Sequence, residues 1–270
     1  MTVYDSQTLK TTTEMAAVAT FAHTGADGTP RLMPVTPLLL DGDAAFTLAY
    51  ARLGLAREIS ASPQTALVFH DSRLAYVGWS PLSVTARAEV IQDPDGELFS
   101  EKLLHQELLK FPPDRQLIDS PLLLRENWWY VPRLIVRLYE TGEPRPNARR
   151  ETPDHAVLAH VSGGELTAET VRVEDWDADR IPVRFPGAGE PPPPESSPAA
   201  LLYHDFAVPD MDPRTSFLAV GRLENGRLSV IRRSGSRTLG KRPGLLARWR
   251  RHKDLERRCK AGIEEQLQGP

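Results

Sequence analysis

The chain has 270 residues, 40% of them hydrophobic, with 33 lysines and arginines against 36 aspartates and glutamates and a formal charge of −3. That is enough apolar content for one large core or two modest ones, and it sets up no global field that would recruit nucleic acid. A single cysteine, Cys259, excludes an internal disulfide framework and any multi-cysteine metal site, and no apolar run reaches the length of a membrane helix.

From Met15 to Val90 the pattern is strand, turn, strand. AAVATFAH is an apolar, β-branched run, GADGTP is a turn carrying Asp27-Gly28, and RLMPVTPLLL is a second run, together a hairpin signature. AAFTLAY follows the Asp41-Gly42-Asp43 turn as a third strand. ARLGLAREIS breaks the alternation, and Leu55 and Ile59 at i and i+4 suit a short helix. QTALVFHD and SVTARAEVIQD return to strand pattern, ELFSEKLLHQELLKF to helical spacing ended by Pro112-Pro113, and WWYVPRLIVRLYE is a last strand.

A phrase then repeats. SPQTALVFHD at Ser62 returns as SPAALLYHD at Ser197, so that Ser62, Pro63, His70 and Asp71 recur as Ser197, Pro198, His204 and Asp205. The run AVATFAHTGADG upstream of the first copy has a counterpart in AVLAHVSGGE upstream of the second. Two copies so far apart imply two domain-sized halves rather than a solenoid. The plainer alternative is chance likeness between two buried strands. In the second half RFPGAGEPPPPESS stands where the first has ARLGLAREIS, and four consecutive prolines favour an extended segment over a helix. The expected fold class is mainly β (α+β): two antiparallel split β-barrels with short joining helices and a C-terminal amphipathic helix. The expected domains are residues 1–145, a degenerate second half at 146–235, and a basic helix at 236–270.

AVATFAHTGADGTPRLMPV, AAFTLAY, AREISASPQTALVF and SVTARAEVIQD, in that order, resemble the flavin-binding split-barrel proteins, the superfamily named after pyridoxamine 5'-phosphate oxidase. The resemblance covers roughly residues 14–140. It implies a small antiparallel barrel that usually pairs as a homodimer with cofactors in clefts between barrels, so that a duplicated chain is a covalent pseudo-dimer. It also implies a flavin phosphate held by a basic residue opening the second strand, a Thr or Ser ending the third, and a Lys or Arg before the next helix. Arg31 and Thr47 match the first two, and Arg52 lies near the third; the position counted back from Pro63 is Leu55, so Arg52 or Arg57 has to substitute. Arginine suits the task because its planar fork gives bidentate bonds to phosphate oxygens. FMN is the expected cofactor, with a deazaflavin as the near alternative.

Trp79, in YVGWSP, is a candidate wall for the flavin ring. Trp128, Trp129, Tyr130 and Arg133 form the densest aromatic segment and are candidates for a substrate pocket, although a Trp on a strand is as readily core. Some split-barrel relatives bind haem, for which His70 and His204 are the candidate axial ligands and His23 and His160 weaker ones. The plainer reading has His70 and His204 capping strand ends or meeting solvent, with the adjacent aspartates closing turns. No GxSxG, GxxxxGK, HExxH or GxGxxG pattern is present, and no metal site is expected.

The tail KRPGLLARWRRHKDLERRCKAGIEEQL is basic. Leu255, Cys259, Ile263 and Leu267 at four-residue spacing predict a docked amphipathic helix. Arginines around Trp249 read as a solvated face, with nucleic acid or an acidic membrane as the alternative. Three functions are open: a flavin-dependent oxidoreductase acting on a small organic substrate, a haem-binding split barrel, and a non-enzymatic binding protein with a decayed site. A cytoplasmic flavoprotein with a small-molecule partner, and with neither nucleic acid nor membrane as partner, is the leading expectation.

Overall fold

The computed structural model describes residues 4–118, 129–186, 195–242 and 244–268. After a first helix, α1 (Ser6–Met15), capped by Asp5 through a 2.8 Å bond from the Thr8 amide, come β1 (Ala19–Thr24), β2 (Pro30–Val35), β3 (Leu38–Leu40) and β4 (Asp43–Ala49). A 3₁₀ turn at Tyr50–Arg52 leads into α2 (Leu53–Ser60), then β5 (Thr65–Phe69) and β6 (Leu82–Asp93). A π-helical segment at Phe99–Leu103 runs into α3 (Leu104–Lys110), followed by α4 (Pro112–Ile118) and β7 (Arg133–Tyr139). The short β8 (Arg145–Pro146) leads to β9 (His155–Ser162), β10 (Glu165–Val173), β11 (Arg180–Arg184), β12 (Ser197–Phe206), β13 (Arg214–Glu224), β14 (Arg227–Gly235) and the long α5 (Leu245–Leu267).

All pairings are antiparallel. The first half orders its strands β2-β1-β5-β6-β7-β4-β3, with β8 added to β6. The second closes a six-stranded barrel ordered β10-β9-β12-β13-β14-β11 and back to β10. Substituting β10 for the β2–β3 run, β9 for β1, β12 for β5, β13 for β6, β14 for β7 and β11 for β4 turns one order into the other. The expected single strand RLMPVTPLLL is broken at Thr36-Pro37: its first part pairs with β1 and its second with β4. In the second half β10 performs both pairings unbroken, with β9 along its length and with β11 at Arg172 and Val173. Proline has no amide to donate, which fits the interruption in the first half.

Turn chemistry fixes the registers. Asp41-Gly42, between Leu40 and Asp43, and Asn225-Gly226, between Glu224 and Arg227, are two-residue hairpin loops with both residues at positive φ. That is the primed turn whose twist matches the strands it joins.

Strand alternation decides where the apolar residues go. In β1 and β5, Phe21, Leu67 and Phe69 point into the core of the first half, around Phe46, Leu134 and Ile135. Their neighbours Ala22, Ala66 and Val68 point the other way, with Leu32, onto the second half. In β9 and β12, Leu158, Leu201 and Tyr203 fill the second barrel while Val157, Ala159, Ala200 and Leu202 meet the first. ALVF and ALLY therefore read as unbroken apolar runs because both faces are buried, one in each barrel's interior and one at the seam. The seam is rich in alanine, which lets the two sheets approach closely.

The helix α5 docks on the first half as its spacing predicts. Cys259 is buried, Leu255 and Ile263 pack on the core, and the His252 ring meets Trp129 edge-on at 4.9 Å. Leu267, the last of the predicted stripe, is exposed, beyond the docked surface.

Candidate functional site at the seam

The repeated His-Asp pairs meet at the seam. His70, one residue past the end of β5, and His204, within β12, are both buried, with their Nε2 atoms 3.4 Å apart. Asp71 accepts bonds from the Arg73 amide at 3.0 Å, from Arg73 Nη2 at 2.7 Å and from Arg150 Nη1 at 3.1 Å. Arg73 also donates to Asp205 at 2.5 Å, and Arg150 donates to the His204 carbonyl at 2.5 Å. Two guanidiniums thus clamp two carboxylates contributed by opposite barrels, and each lies over an aromatic ring of the second, Arg73 on Phe206 at 4.1 Å and Arg150 on Tyr203 at 5.1 Å.

Burial is the main force on the titration of these groups. It holds both imidazoles neutral: His70 falls well below its ordinary value, helped by the neighbouring His204, and His204 falls to about 4 despite Asp71. Burial pushes Asp71 upward too, but the Arg73 hydrogen bonds and charge outweigh it and keep the carboxylate ionised. The His70 Nδ1 atom is buried without a partner. A bare lone pair there costs less than an orphaned N–H, which assigns His70 as the Nε2 donor and His204 as the acceptor. These donors and acceptors are engaged with one another, and the arrangement is chemically a joint.

The residues expected to hold a phosphate are spread out. Arg31 pairs with Asp27 at 3.0 Å and Glu58 at 3.6 Å. Thr47 donates to Glu107 on α3 at 2.7 Å. In β4, Thr47 pairs with Ile135 of β7, whereas Arg31 lies on β2 opposite His23 of β1. Arg57 is tied to Glu265 of α5 at 2.5 Å, while Arg52 is exposed ahead of α2 and Leu55 packs against the first core. Trp79 is half-buried against that core with Arg149 6.0 Å from its ring.

In the aromatic segment, Trp129 and Tyr130 are buried with rings edge-on at 5.8 Å, in a turn before β7 rather than in the strand itself, and Trp128 lies outside the described residues. Arg133 is turned inward to Glu107 at 3.4 Å and Asp114 at 3.9 Å, over the Phe99 ring. His23 is buried 3.9 Å from Glu58, and His160 is buried on β9 opposite Ala199.

Sequence reasoning missed the groups that hold the seam and its flank. Arg73 follows the repeated pair at two residues, a signal that was present; Arg150 lies in the connection after β8 and gave none. Glu107 and Asp114 both lie beside Arg133: burial pushes Asp114 up, and the Glu107 carboxylate adds to it. Glu107 is held down against its burial by Asp114, Arg133 and Thr47. Lys110 is buried and donates to the Thr13 and Pro37 carbonyls at 2.6 Å each, which ties α1, the break between β2 and β3, and α3 together.

A shallow cleft of about 260 Å³ lies where the two halves adjoin, lined by Ala17, Leu74, Tyr76, Leu109, Lys110 and Pro209. Among the described residues no group of three or more His, Cys, Asp or Glu side chains could hold a metal, and no helix is long and apolar enough to cross a membrane.

No family model and no curated protein matches the chain. Among solved structures, it is similar to the heme storage protein HutZ from Vibrio cholerae (15% identity, 53% of this chain and 96% of that one, TM-score 0.33). It is also similar to a heme binding protein from Mycobacterium smegmatis (15%, 95% and 97%, TM-score 0.32) and to the flavocytochrome Anf3 from Azotobacter vinelandii (14%, 70% and 87%, TM-score 0.35). At these scores nothing about ligand or activity passes from those proteins to this chain. Its own strand order defines the class: a mainly antiparallel β protein of two matched barrel-like halves with a C-terminal helix.

The side chains expected to hold either cofactor have other partners in this structure. A flavin phosphate needs converging donors, and to hold one Arg31 and Arg57 would leave part-exposed ion pairs with Asp27, Glu58 and Glu265, and Thr47 its bond to Glu107. A haem iron needs an imidazole with a free Nε2 facing open space, and the Nε2 atoms of His70 and His204 face each other.

Proposed function

We propose that the chain is a non-enzymatic protein whose cofactor site has decayed, built on a covalent split-barrel pseudo-dimer with halves at 1–145 and 146–235 and a basic helix at 236–270. In it the seam between barrels serves cohesion rather than redox chemistry. The observation that carries this reading is the buried contact of His70 with His204 inside the Asp71, Asp205, Arg73 and Arg150 clamp. Polar groups buried to this degree and bonded to one another hold a single docking geometry and leave no donors for a ligand.

An FMN- or deazaflavin-dependent oxidoreductase is the second reading. It is favoured by Arg52, exposed at the start of α2, and by Arg31, whose side chain is a third exposed. It requires both to leave their present surroundings for one phosphate.

The absorption spectrum of the protein as isolated, followed by titration with FMN, a deazaflavin and haemin, separates the readings. A colourless protein without saturable binding of any of the three is the expected result. A flavin band or a Soret band that saturates at one equivalent overturns the proposal. In the flavin case Arg31→Ala weakens binding and Arg73→Ala does not, unless the seam is itself the site.

A further inference from the structure

The helix α5 has two unlike parts. From His252 onward it lies on the first barrel, and its cations are neutralised within the helix: Lys253 and Lys260 share Glu256 at 2.8 Å each, and Arg257 and Arg258 share Asp254. Residues 246–251 come before this docked part and are exposed throughout. They comprise Leu246, Ala247, Arg248, Trp249, Arg250 and Arg251, three cations and no acid. At a rise of about 1.5 Å per residue they span about 9 Å. Leu246 is 75% and Trp249 61% exposed, and their i, i+3 spacing puts them on one face beside Arg250.

The charge of the chain is divided in the same sense. Residues 227–260 hold 13 lysines and arginines against two acids, which leaves 20 against 34 in the remainder. Within this window the segment 246–251 has no acid of its own, so a negatively charged surface attracts it.

We propose that the projecting turns of α5 are a docking arm for an anionic lipid bilayer. Trp249 and Leu246 enter the headgroup layer while Arg250 and Arg251 face lipid phosphates. Two exposed apolar side chains among arginines fit a surface that supplies both an apolar layer and negative charge. A nucleic acid duplex would use the arginines and leave Leu246 and Trp249 in water. Association is peripheral, since α5 is too polar and too charged to cross, and it changes the sequence-based expectation of no membrane partner only in that sense. The inference stands apart from the proposal about the seam, because α5 contacts the first half at Tyr50 and Trp129 rather than at the residues of the seam clamp.

The test is co-sedimentation of the full chain with vesicles of phosphatidylcholine alone and with phosphatidylcholine containing phosphatidylglycerol, at low and high salt. Each cation near such a surface contributes roughly fivefold in partition, so the expected result is at least about tenfold more binding to the anionic vesicles, lost at high salt. Arg250→Glu with Arg251→Glu abolishes that difference. Leu246→Ser with Trp249→Ser lowers binding several-fold, and both variants keep the wild-type melting temperature because the altered side chains are exposed. Equal partition onto the two vesicle types overturns the proposal. So does wild-type binding by both variants, or displacement from the vesicles by a duplex that itself binds the protein more tightly.

Discussion

The Nε2 atom of His70 lies 3.4 Å from the Nε2 atom of His204, the residue that occupies the same place in the second copy of the repeated phrase. In a two-fold assembly a residue meets its own equivalent only on the axis. That contact, with the matching strand orders on either side, supports the reading of the chain as a dimer fused into one polypeptide.

Because both imidazoles are held neutral, acid weakens the fold. A histidine whose folded value is depressed keeps its full stability above the unfolded value of about 6.5, where both states are neutral. Below that the unfolded chain takes up protons that the folded chain refuses, and stability falls until the folded value is reached, about 4 for His204. The expected loss is ~1.4 kcal/mol per pH unit for each histidine within that window. Urea unfolding between pH 7 and pH 4 measures it, and His204→Gln should make the slope shallower. An unchanged slope in that variant excludes the pair as its source.

The clamp should behave as one unit. Asp71 is almost wholly buried, and the Arg150 side chain is 7% exposed. Removing one member strands the other's charge, so Arg150→Met should cost about 3 kcal/mol, at the lower end for a broken buried pair because Arg73 remains on Asp71. The double variant with Asp71→Asn should cost less than the sum of the singles by at least ~1 kcal/mol. Strict additivity in urea midpoints would mean that the two side chains act separately.

Asp114 predicts an opposite dependence, which offsets that of the histidines below about pH 6.5 and stands alone above it. Its folded value is raised, to about 8, by burial and then by Glu107. The native state therefore holds a proton that the unfolded chain has released, and stability declines as pH rises from the carboxylate range toward 8. Lys110, lowered by burial to about 8, works the other way and only above that pH. Melting temperatures between pH 6.5 and 8 isolate the carboxyl: the wild type should fall across this interval and Asp114→Asn should stay level. Parallel curves for the two proteins would sink the assignment.

The fold was legible where one physical cause acts alone. Turn pairs such as Asp41-Gly42 announce their conformation, and strand alternation announces its period, so the hairpins and the C-terminal helix could be read directly. ALVF and ALLY were legible as a repeat but not as a seam, since a strand buried on both faces looks the same whether the second face meets a helix or another barrel. RLMPVTPLLL reads as one strand because it is a largely apolar run between the turns at Asp27-Gly28 and Asp41-Gly42, and only the pairing of its two ends with β1 and β4 reveals the break at Thr36-Pro37. The site was less legible for a related reason. Arg31 and Thr47 are neighbours in a family pattern, whereas their separation is set by register, and the closeness of Arg150 to Asp71 depends on a connection that carries no periodic signal.

Gly262 offers the sharpest test of how α5 is held. In a helix interior glycine to alanine ordinarily stabilises by ~1 kcal/mol. Here a Cβ at position 262 would stand 2.4 Å from the Tyr50 carbonyl oxygen and 3.0 Å from its carbon, main-chain atoms that cannot swing away. The helix has to lift, and Gly262→Ala should destabilise by about 1–3 kcal/mol. Cys259, one turn earlier on the same face, is 1% exposed, and burial also pushes its thiol upward. Both conditions keep it unreactive toward a thiol reagent in the wild type, and both relax if the helix lifts. Gly244→Ala is the control, because nothing lies within 4 Å of a Cβ there. Faster labelling of Cys259 in Gly262→Ala alone locates the close approach at Tyr50. Equal rates in the two variants would show that the helix tolerates the methyl group, and that Leu255 and Ile263, rather than the fit of Gly262, hold it to the barrel.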